Sequence, residues 1–173
     1  MNRSAEIRWT EMPSPIGTLV LCRTAAGLCG IEFGSWDERG EKLAALADKR
    51  LGGAAFVRDD GDSLLAETRR QLNEYFDGKR RAFDVPLDLR GTPFQLRVWK
   101  ALTEIPFGAT ASYRDIAAAV GRPKAVRAVG GANNRNPVPI IVPCHRVVGA
   151  DGSLVGYGGG LPIKRRLLAL EKA

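Results

Sequence analysis

The stretch SYRDIAAAVGRPKAVRAVGGANN, residues 112–134, carries the clearest structural signal in the chain. Ser112 is followed three residues later by Asp115, a pattern typical of the capping box at a helix start, with Asp in the place usually taken by Glu or Gln. We therefore expect a short helix over residues 113–120, which ends at Gly121 because glycine readily adopts the left-handed conformation found after helices.

A second helix is expected to follow at once, with Pro123 near its start and Asn134 at its end. Two short helices joined by a tight glycine-containing turn in a basic context favour a helix-turn-helix, although an ordinary α-hairpin has the same pattern. We expect Val126 and Val129 to face the core. The other face is slim and basic, and it comprises Lys124, Arg127, Gly131 and Asn134. Such a face could approach a nucleic-acid groove closely, but it is also found where two helices pack tightly.

The regions on either side of this stretch indicate a mainly helical domain over residues 89–173. Thr92 is suited to cap a helix that has Pro93 at its first position. The buried stripe of this helix is predicted to be Phe94, Val98, Ala101, Leu102 and Ile105. The other elements expected are a turn at 150–153 between strand-like pieces at 146–148 and 153–155, and a basic helix at 163–170.

The first half of the chain predicts a small supporting domain, residues 1–88. Its β-prone runs lie at 7–10, 18–21 and 28–33, with turn signals between them, so a meander of about three strands is the simplest interpretation. Helical composition follows at 38–50, and a second helix with apolar residues at helical spacing ends at Asp77-Gly78. The fold class is therefore α/β of the α+β type: a sheet-plus-helix domain, then a mainly helical domain.

Charge is divided unequally between the two halves of this 173-residue chain, whose net charge is +7. Residues 1–90 hold 14 Lys and Arg against 15 Asp and Glu, whereas residues 91–173 hold 12 against 4. The excess positive charge in the second half favours a polyanion partner such as nucleic acid, although a generally basic domain without such a partner would look similar. Neither a membrane-spanning run nor a secretory signal is evident, so we expect no membrane association and a cytoplasmic location.

The three cysteines do not suggest a disulfide framework, because their number is odd. Cys22 and Cys29 lie in an apolar context, where cysteine usually serves as a small core residue. Cys144 differs from them, since it lies between Pro143 and His145, the single histidine of the chain. It is therefore the candidate nucleophile.

Cysteine reacts as the thiolate, and a neighbouring imidazole is a common means of favouring that form. Adjacent residues on an extended backbone point in opposite directions, so contact between Cys144 and His145 requires a turn, which Pro143 makes plausible, or a bridging water. A histidine base also needs a third group to orient it. The carboxylates available in the second half are Glu104, Asp115, Asp151 and Glu171, and the residues alone do not choose among them. A buried cysteine beside a partly buried histidine, with no chemistry, is the alternative.

Other kinds of site find little support. One histidine and dispersed cysteines offer no zinc-binding set. The run GYGGGLPIK, residues 156–164, lacks the Gly-Lys-Ser/Thr of a phosphate-binding loop and is more typical of a flexible, close-fitting loop. We expect neither a metal nor a cofactor.

Taken together, these motifs resemble one known family. The run RAVGGANNRNPVPIIVPCHRVVGADGSLVGYGGGLPIKRRLLALE, residues 127–171, is similar to the active-site segment of the O6-alkylguanine-DNA alkyltransferases, or methylated-DNA–protein-cysteine methyltransferases. The upstream run FQLRVWKALTEIPFGATASYRDIA, residues 94–117, also resembles that family. Weaker N-terminal similarities are SPIG at 14–17 and AAGLCGIEF at 25–33.

The resemblance implies a ribonuclease-H-like first domain and a second domain with a winged helix-turn-helix, in which residues 146–155 would form the wing. It also implies a reaction that the residues alone did not define. Cys144 would accept the alkyl group from O6-alkylguanine, and from O4-alkylthymine, in double-stranded DNA, and each molecule would react once. His145 would act through a water molecule as the base that keeps Cys144 a thiolate. Glu171 would hold the tautomer of His145, and Asn136 would support the turn before the cysteine.

The resemblance also implies how DNA is bound. Tyr113 would donate a proton or hydrogen bond to the guanine, and Arg127 would replace the flipped-out nucleotide. The other residues of the minor-groove surface would be Lys124, Ala128, Gly131, Asn134 and Arg135, and those of the base pocket Tyr157, Gly158, Val147 and Lys164. No structural zinc, obligate protein partner or oligomer is expected. Two alternatives stay open, a hydrolase with a Cys-His-Glu triad and a non-catalytic helix-turn-helix module.

Overall fold

The computed structural model describes residues 5–172 and divides into two compact units, with the boundary between Arg90 and Gly91. The first unit contains a four-stranded sheet in the order β3-β2-β1-β4. Its strands are β1 (Ala5–Met12), β2 (Leu19–Arg23), β3 (Leu28–Phe33) and β4 (Ala54–Arg58). The predicted three-strand meander is present, because β1 pairs antiparallel with β2 and β2 antiparallel with β3.

The fourth strand was not predicted. β4 lies at the edge of the sheet and runs parallel to β1. Its sequence, AAFVR, has four apolar residues followed by an arginine, so it lacks the alternation of apolar and polar residues that would signal a strand. Parallel pairing also needs a long crossover connection between the two strands, so no local turn signal in the sequence predicts it.

Two helices complete the first unit. Helix α1 (Trp36–Leu51) begins two residues before the predicted start because Ser35 and Glu38 form a reciprocal capping box, and it ends at Gly52 with φ 71°. Helix α2 (Ser63–Phe76) has the predicted end at Asp77. Both helices supply buried residues. Leu43 and Ala47 of α1 form one core cluster with Ile7, Trp9 and Val20 of the sheet. Leu65 and Leu72 of α2 are fully buried.

The second unit begins with helix α3 (Pro93–Thr103), capped by Thr92 and Gln95 as a capping box. Val98 and Leu102 are fully buried, as predicted, but Phe94 is only half-buried. Trp99 takes its place in the core, with 0 % of its surface exposed and its indole nitrogen donating to the Ala132 carbonyl at 2.9 Å. A buried tryptophan of this kind satisfies its one donor while filling a large volume.

The helix-turn-helix stretch forms α4 (Tyr113–Ala119) and α5 (Val126–Asn134). The predicted start of the second helix was wrong, because residues 123–124 form a turn and α5 begins only after Ala125, whose side chain makes no capping hydrogen bond. Lys124 therefore lies before the helix rather than on its face. Val126 was also misplaced, since it is 37 % exposed, whereas Val129 is buried as expected.

The remaining segments depart from the predicted wing. Residues 147–148 form β6 (Val147–Val148), but it pairs in parallel with β5 (Ala111–Ser112) and not with residues 153–155, which have no strand structure. The turn itself is present, with the Gly149 amide donating to the Ser153 carbonyl at 2.8 Å. The chain closes with α6 (Leu161–Lys172). Among residues 5–172, no helix combines the length and apolar character needed to cross a bilayer.

Candidate active site around Cys144

A rigid turn leads into the cysteine. The side chain of Asn136 spans it, with Nδ2 donating to the Val142 carbonyl at 2.7 Å and Oδ1 accepting from the Val138 amide at 3.0 Å. Ile140, at the middle of this turn, has φ 74° and is 1 % exposed. A β-branched residue in the left-handed region is an outlier that surrounding structure must hold in place. Asn136 thus supports the turn before the cysteine.

The backbone then bends twice. Pro143, with φ −82° and ψ 66°, is at the centre of an inverse γ-turn closed by a hydrogen bond from the Cys144 amide to the Val142 carbonyl at 2.8 Å. A single 3₁₀ turn, Cys144–Arg146, follows directly. These two bends supply the change of direction that adjacent cysteine and histidine residues need. Cys144 is 4 % exposed, and its carbonyl accepts from Nδ2 of Asn133 at 3.5 Å.

Of the four carboxylates considered, Glu171 of α6 is the one that meets the histidine. Nε2 of His145 lies 2.6 Å from Oε2 of Glu171, and the two residues are 0 % and 5 % exposed. Because a carboxylate can only accept, a neutral His145 carries its proton on Nε2 and leaves Nδ1 with a free lone pair. Within residues 5–172, Nδ1 is buried and has no hydrogen-bond partner.

Arg146 completes the polar cluster, and the sequence reasoning missed it. Its Nε donates to Oε1 of Glu171 at 2.8 Å, and its Nη2 donates to Oε2 at 3.1 Å. The third donor, Nη1, reaches the Ile105 carbonyl at 2.7 Å, and the guanidinium lies 5.8 Å from the centre of the Phe107 ring. The available signal was an arginine within the largely apolar run 138–148, because such an arginine is expected to be buried and a buried charge requires a partner. The sequence did not identify that partner.

Burial controls the charge of the reacting groups. It raises the pKa of Cys144 to about 11, while hydrogen bonds from Asn136 and Tyr157 and the charge of Lys164 act in the opposite direction. Burial also lowers the pKa of His145 from its ordinary value of 6.5, against the hydrogen bond and charge of Glu171. At neutral pH the resting pair is therefore a thiol beside a neutral imidazole.

Tyr113 and Lys164 hold the loop that precedes α6. The Tyr113 hydroxyl donates to the Val155 carbonyl at 2.9 Å, and Nζ of Lys164 donates to the carbonyls of Val155 at 3.2 Å and Gly156 at 3.3 Å. Lys164 is completely buried and lies 5.9 Å from the centre of the Tyr113 ring. The pKa of Tyr113 is raised by burial and then by the proximity of Cys144. The loop, the tyrosine and the thiol therefore share one site.

The residues assigned to DNA contact are exposed on or beside α5. Arg127, Ala128 and Asn134 are exposed, and Arg135 caps the end of the helix. A side chain at Gly131 would approach Nη1 of Arg135 to 3.0 Å. Gly130 was not singled out from the sequence, yet a Cβ there would come within 3.9 Å of the Tyr113 ring. Small residues along α5 thus leave room on both of its sides.

The structure brings most of the predicted site residues together. The group around the thiol comprises Cys144, His145, Glu171, Asn136, Tyr113, Tyr157 and Lys164. Gly158 is exposed, whereas Val147 is fully buried and its amide donates to the Cys144 carbonyl. Lys124 is exposed in the turn before α5. Among the described residues, no three His, Cys, Asp or Glu side chains are arranged as a metal site.

A buried thiol beside a histidine–carboxylate pair, in a unit with a helix-turn-helix, defines a protein that uses a cysteine nucleophile. Two family models match the chain: the DNA binding domain of 6-O-methylguanine DNA methyltransferase over residues 93–173, and its ribonuclease-like domain over residues 7–89. The second match bears out the ribonuclease-like first domain that the resemblance implied.

Individual relatives agree with the family models. The methylated-DNA–protein-cysteine methyltransferase of Methanosarcina barkeri is 46% identical over 159 residues, which cover 92% of this chain and 93% of the relative. That of Mycobacterium leprae is 45% identical over 166 residues, covering 96% and 93%. The crystal structure of Mycobacterium tuberculosis OGT in complex with DNA has a TM-score of 0.81 and 46% identity, over 96% of this chain and 92% of that one. The chain belongs to the methylated-DNA–protein-cysteine methyltransferase family, whose members repair DNA by alkyl transfer to a protein cysteine.

Proposed function

We propose that Cys144 is the acceptor in this chain and that it takes the alkyl group from O6-alkylguanine, and from O4-alkylthymine, in double-stranded DNA. The observation that carries the proposal is the geometry of the histidine beside it: Nε2 is fixed on Glu171, and the buried Nδ1 has no partner among the described residues. A neutral imidazole held in this tautomer is suited to act as a general base towards the adjacent thiol, directly or through a water molecule.

The transfer is a single displacement. As the thiol proton passes to Nδ1 of His145, the sulfur attacks the alkyl carbon, so that a carbon–sulfur bond forms while the bond to the O6 oxygen of guanine breaks. The electron pair of that bond leaves with the base. The product is a thioether, and no described residue offers a route to cleave it. Each molecule therefore acts once.

Tyr113 is positioned to assist the leaving base. Its hydroxyl donates to the Val155 carbonyl, and burial and the nearby Cys144 raise its pKa, so the hydroxyl is protonated at neutral pH. By donating to the guanine ring as the bond breaks, Tyr113 would let the base depart neutral. Tyr157, Gly158, Lys164 and the backbone at Val147 would line the pocket that receives the base.

We further propose that α5 enters the minor groove of DNA. Arg127, exposed on that helix, would occupy the space left by the flipped-out nucleotide, in the manner of proteins that act on extruded bases. The side-chain-poor stretch from Ala128 to Gly131 supports close approach to a narrow groove. Asn134 and Arg135 at the helix end and Lys124 before it would contact the backbone phosphates.

A cytoplasmic location is supported by the three cysteines, which are all free in the structure and suit a reducing compartment. Action as a monomer is supported by the second unit, which contains every group of the proposed relay. Both statements are part of the proposal.

The test is to incubate the protein with duplex DNA that contains O6-methylguanine and to weigh the intact protein. We expect a gain of one methyl group, located on Cys144 and saturating at one per molecule. Cys144→Ala should bind the same duplex but gain no mass. An unchanged mass for the parent protein, together with repeated turnover of an ester or peptide, would instead establish the hydrolase. Unchanged mass with DNA binding alone would favour the non-catalytic module.

A further inference from the structure

We propose that Arg146 is a positioning residue that fixes Glu171 and offsets its negative charge, so that His145 stays neutral and keeps Nδ1 free to accept the thiol proton. This inference rests on the proposed relay and extends it by one group. The structure places Arg146 in direct contact with the carboxylate of Glu171, a contact that neither the residues nor the family resemblance had indicated.

The contact is bidentate and rigid. Nε and Nη2 of Arg146 each donate to a different oxygen of Glu171, at 2.8 and 3.1 Å. This fork-to-fork pairing fixes the plane of the carboxylate, which a single hydrogen bond would leave free to rotate. The guanidinium is itself anchored, because Nη1 donates to the Ile105 carbonyl at 2.7 Å and both residues of the pair are at least 94 % buried. Arg146, which is not itself a member of the proposed relay, thereby fixes the position of the Glu171 Oε2 atom opposite His145.

The charge of Arg146 matters as much as its shape. The charged groups that act on His145 are Glu171 and Lys164 from α6, and Arg146 from its own turn. Glu171 favours the imidazolium, which has no lone pair left to take a proton. Arg146 and Lys164 oppose it, and Arg146 does so while in contact with the same carboxylate. Without Arg146, we expect the balance to move towards a charged histidine.

Because His145 is the single histidine of the chain, its ring gives unambiguous nuclear magnetic resonance signals. The pKa and tautomer of His145 can therefore be read by titration of ¹⁵N-labelled protein. In Arg146→Met we expect the pKa to rise by roughly one unit relative to the parent, since a neighbouring cation typically shifts a pKa by that order. Arg146→Lys, which keeps the charge but loses the fork, should move the pKa less. Arg166→Met is the matched control, because it removes an exposed cation from the same helix as Glu171.

The rate of methyl transfer supplies the second measurement. Arg146→Met should slow transfer about ten- to a hundred-fold, the order expected when an outer partner of a reacting group is lost. If Arg146 acts through Glu171, the same change should add less than about two-fold in a Glu171→Gln background. If Arg146→Met does not fold, Arg146→Lys is the variant to measure, because it keeps the buried charge paired. We expect its rate of methyl transfer to lie between the parental rate and the rate expected for Arg146→Met.

Two results would overturn the inference: an Arg146→Met protein that is folded with the His145 pKa of the parent, or equal slowing by Arg146→Met with and without Glu171. The same holds if Arg146→Lys retains the parental rate in the case where Arg146→Met is unfolded. Failure of the proposed function would look different, because the parent protein itself would then gain no methyl group from the damaged duplex.

Discussion

At the scale of single residues, Ile140 shows two physical effects in opposition. Its φ of 74° costs about 1–2 kcal/mol for a residue with a Cβ branch. Its side chain is 1 % exposed, and burying an isoleucine stabilises a fold by about 2–5 kcal/mol relative to alanine. The free energy gained by packing therefore exceeds the cost of the strained φ, and the strained conformation is kept at this position, four residues before the cysteine.

This balance predicts an unusual order of stability at position 140. Ile140→Ala loses the packing and keeps the strained φ, whereas Ile140→Gly loses the packing and is relieved of the strain. We expect Ile140→Gly to be more stable than Ile140→Ala by about 1 kcal/mol, as measured by urea denaturation.

The control is Ile116, which is buried in α4 with 4 % exposure. At that position helix propensity applies, so Ile116→Gly should be less stable than Ile116→Ala by about 1 kcal/mol. The same order of the two variants at both positions would contradict the account of strain at Ile140.

The sequence allowed part of the site to be predicted at this scale. Cys144 and His145 could be identified because they are adjacent and because the chain has no second histidine. Glu171 could not be selected from the residues alone, since 26 positions separate it from His145 and only the fold brings them together. The contact between Arg146 and Glu171 could not be predicted either, because it depends on a carboxylate from a helix that only the fold brings close.

At the scale of elements, capping explains where the helices of the site begin. Thr92 and Ser112 were predicted to cap α3 and α4, and both form complete capping boxes. Helix α5 has no side-chain cap, which is why its start was predicted two to three residues too early from Pro123. Helix starts can thus be read from sequence where a capping side chain exists, and much less well where it does not.

Removing the cap of α4 is expected to lower the rate of methyl transfer as well as the stability. Ser112→Ala removes the acceptor for the Asp115 amide, which typically costs about 1 kcal/mol, and α4 has only seven residues to absorb the loss. Because Tyr113 is the first residue of α4, we expect slower methyl transfer to accompany the lower urea midpoint.

Ser35→Ala is the matched control for Ser112→Ala. Ser35 caps α1 with the same capping-box geometry, but it belongs to the first unit, whereas the thiol belongs to the second. It should lower stability by about the same 1 kcal/mol without slowing transfer. Equal slowing in both variants would show that the cap of α4 has no particular link to Tyr113.

Strand pairing was the least predictable feature. β5 and β6 have two residues each, and their paired residues are 36 positions apart in the sequence, so neither carries a local signature. The predicted wing instead relied on a turn that does exist at Gly149–Ser153, followed by residues that find no partner strand. A turn signal shows where the chain reverses, but the pairing on either side is decided by tertiary contacts.

At the scale of the whole molecule, the single histidine gives stability a distinctive pH dependence. The folded protein holds His145 with a lowered pKa, so the unfolded chain binds more protons below the ordinary value of 6.5. Stability from this group is complete above that pH and is lost as pH falls towards the folded pKa, with a slope of at most about 1.4 kcal/mol per pH unit. Carboxylates with lowered pKa, such as Glu67 at about 2, act only at lower pH.

We therefore expect the free energy of unfolding to decrease between pH 6.5 and pH 5, as measured by urea denaturation across that range. His145→Gln removes the titrating group while retaining an amide near Glu171, and it should flatten this part of the profile. A profile in the variant that still falls with the parental slope would assign the effect to another group.

The hydrogen bond from Tyr113 to the Val155 carbonyl has a consequence for how damage is selected. In the resting molecule the hydroxyl proposed to protonate the departing base is already occupied by a backbone acceptor. An incoming guanine must therefore compete with a partner that is always present, and a base that sits poorly in the pocket loses that competition. Under the proposed mechanism, the resting bond acts as an internal competitor, which biases the single irreversible event of each molecule towards bases that are fully seated.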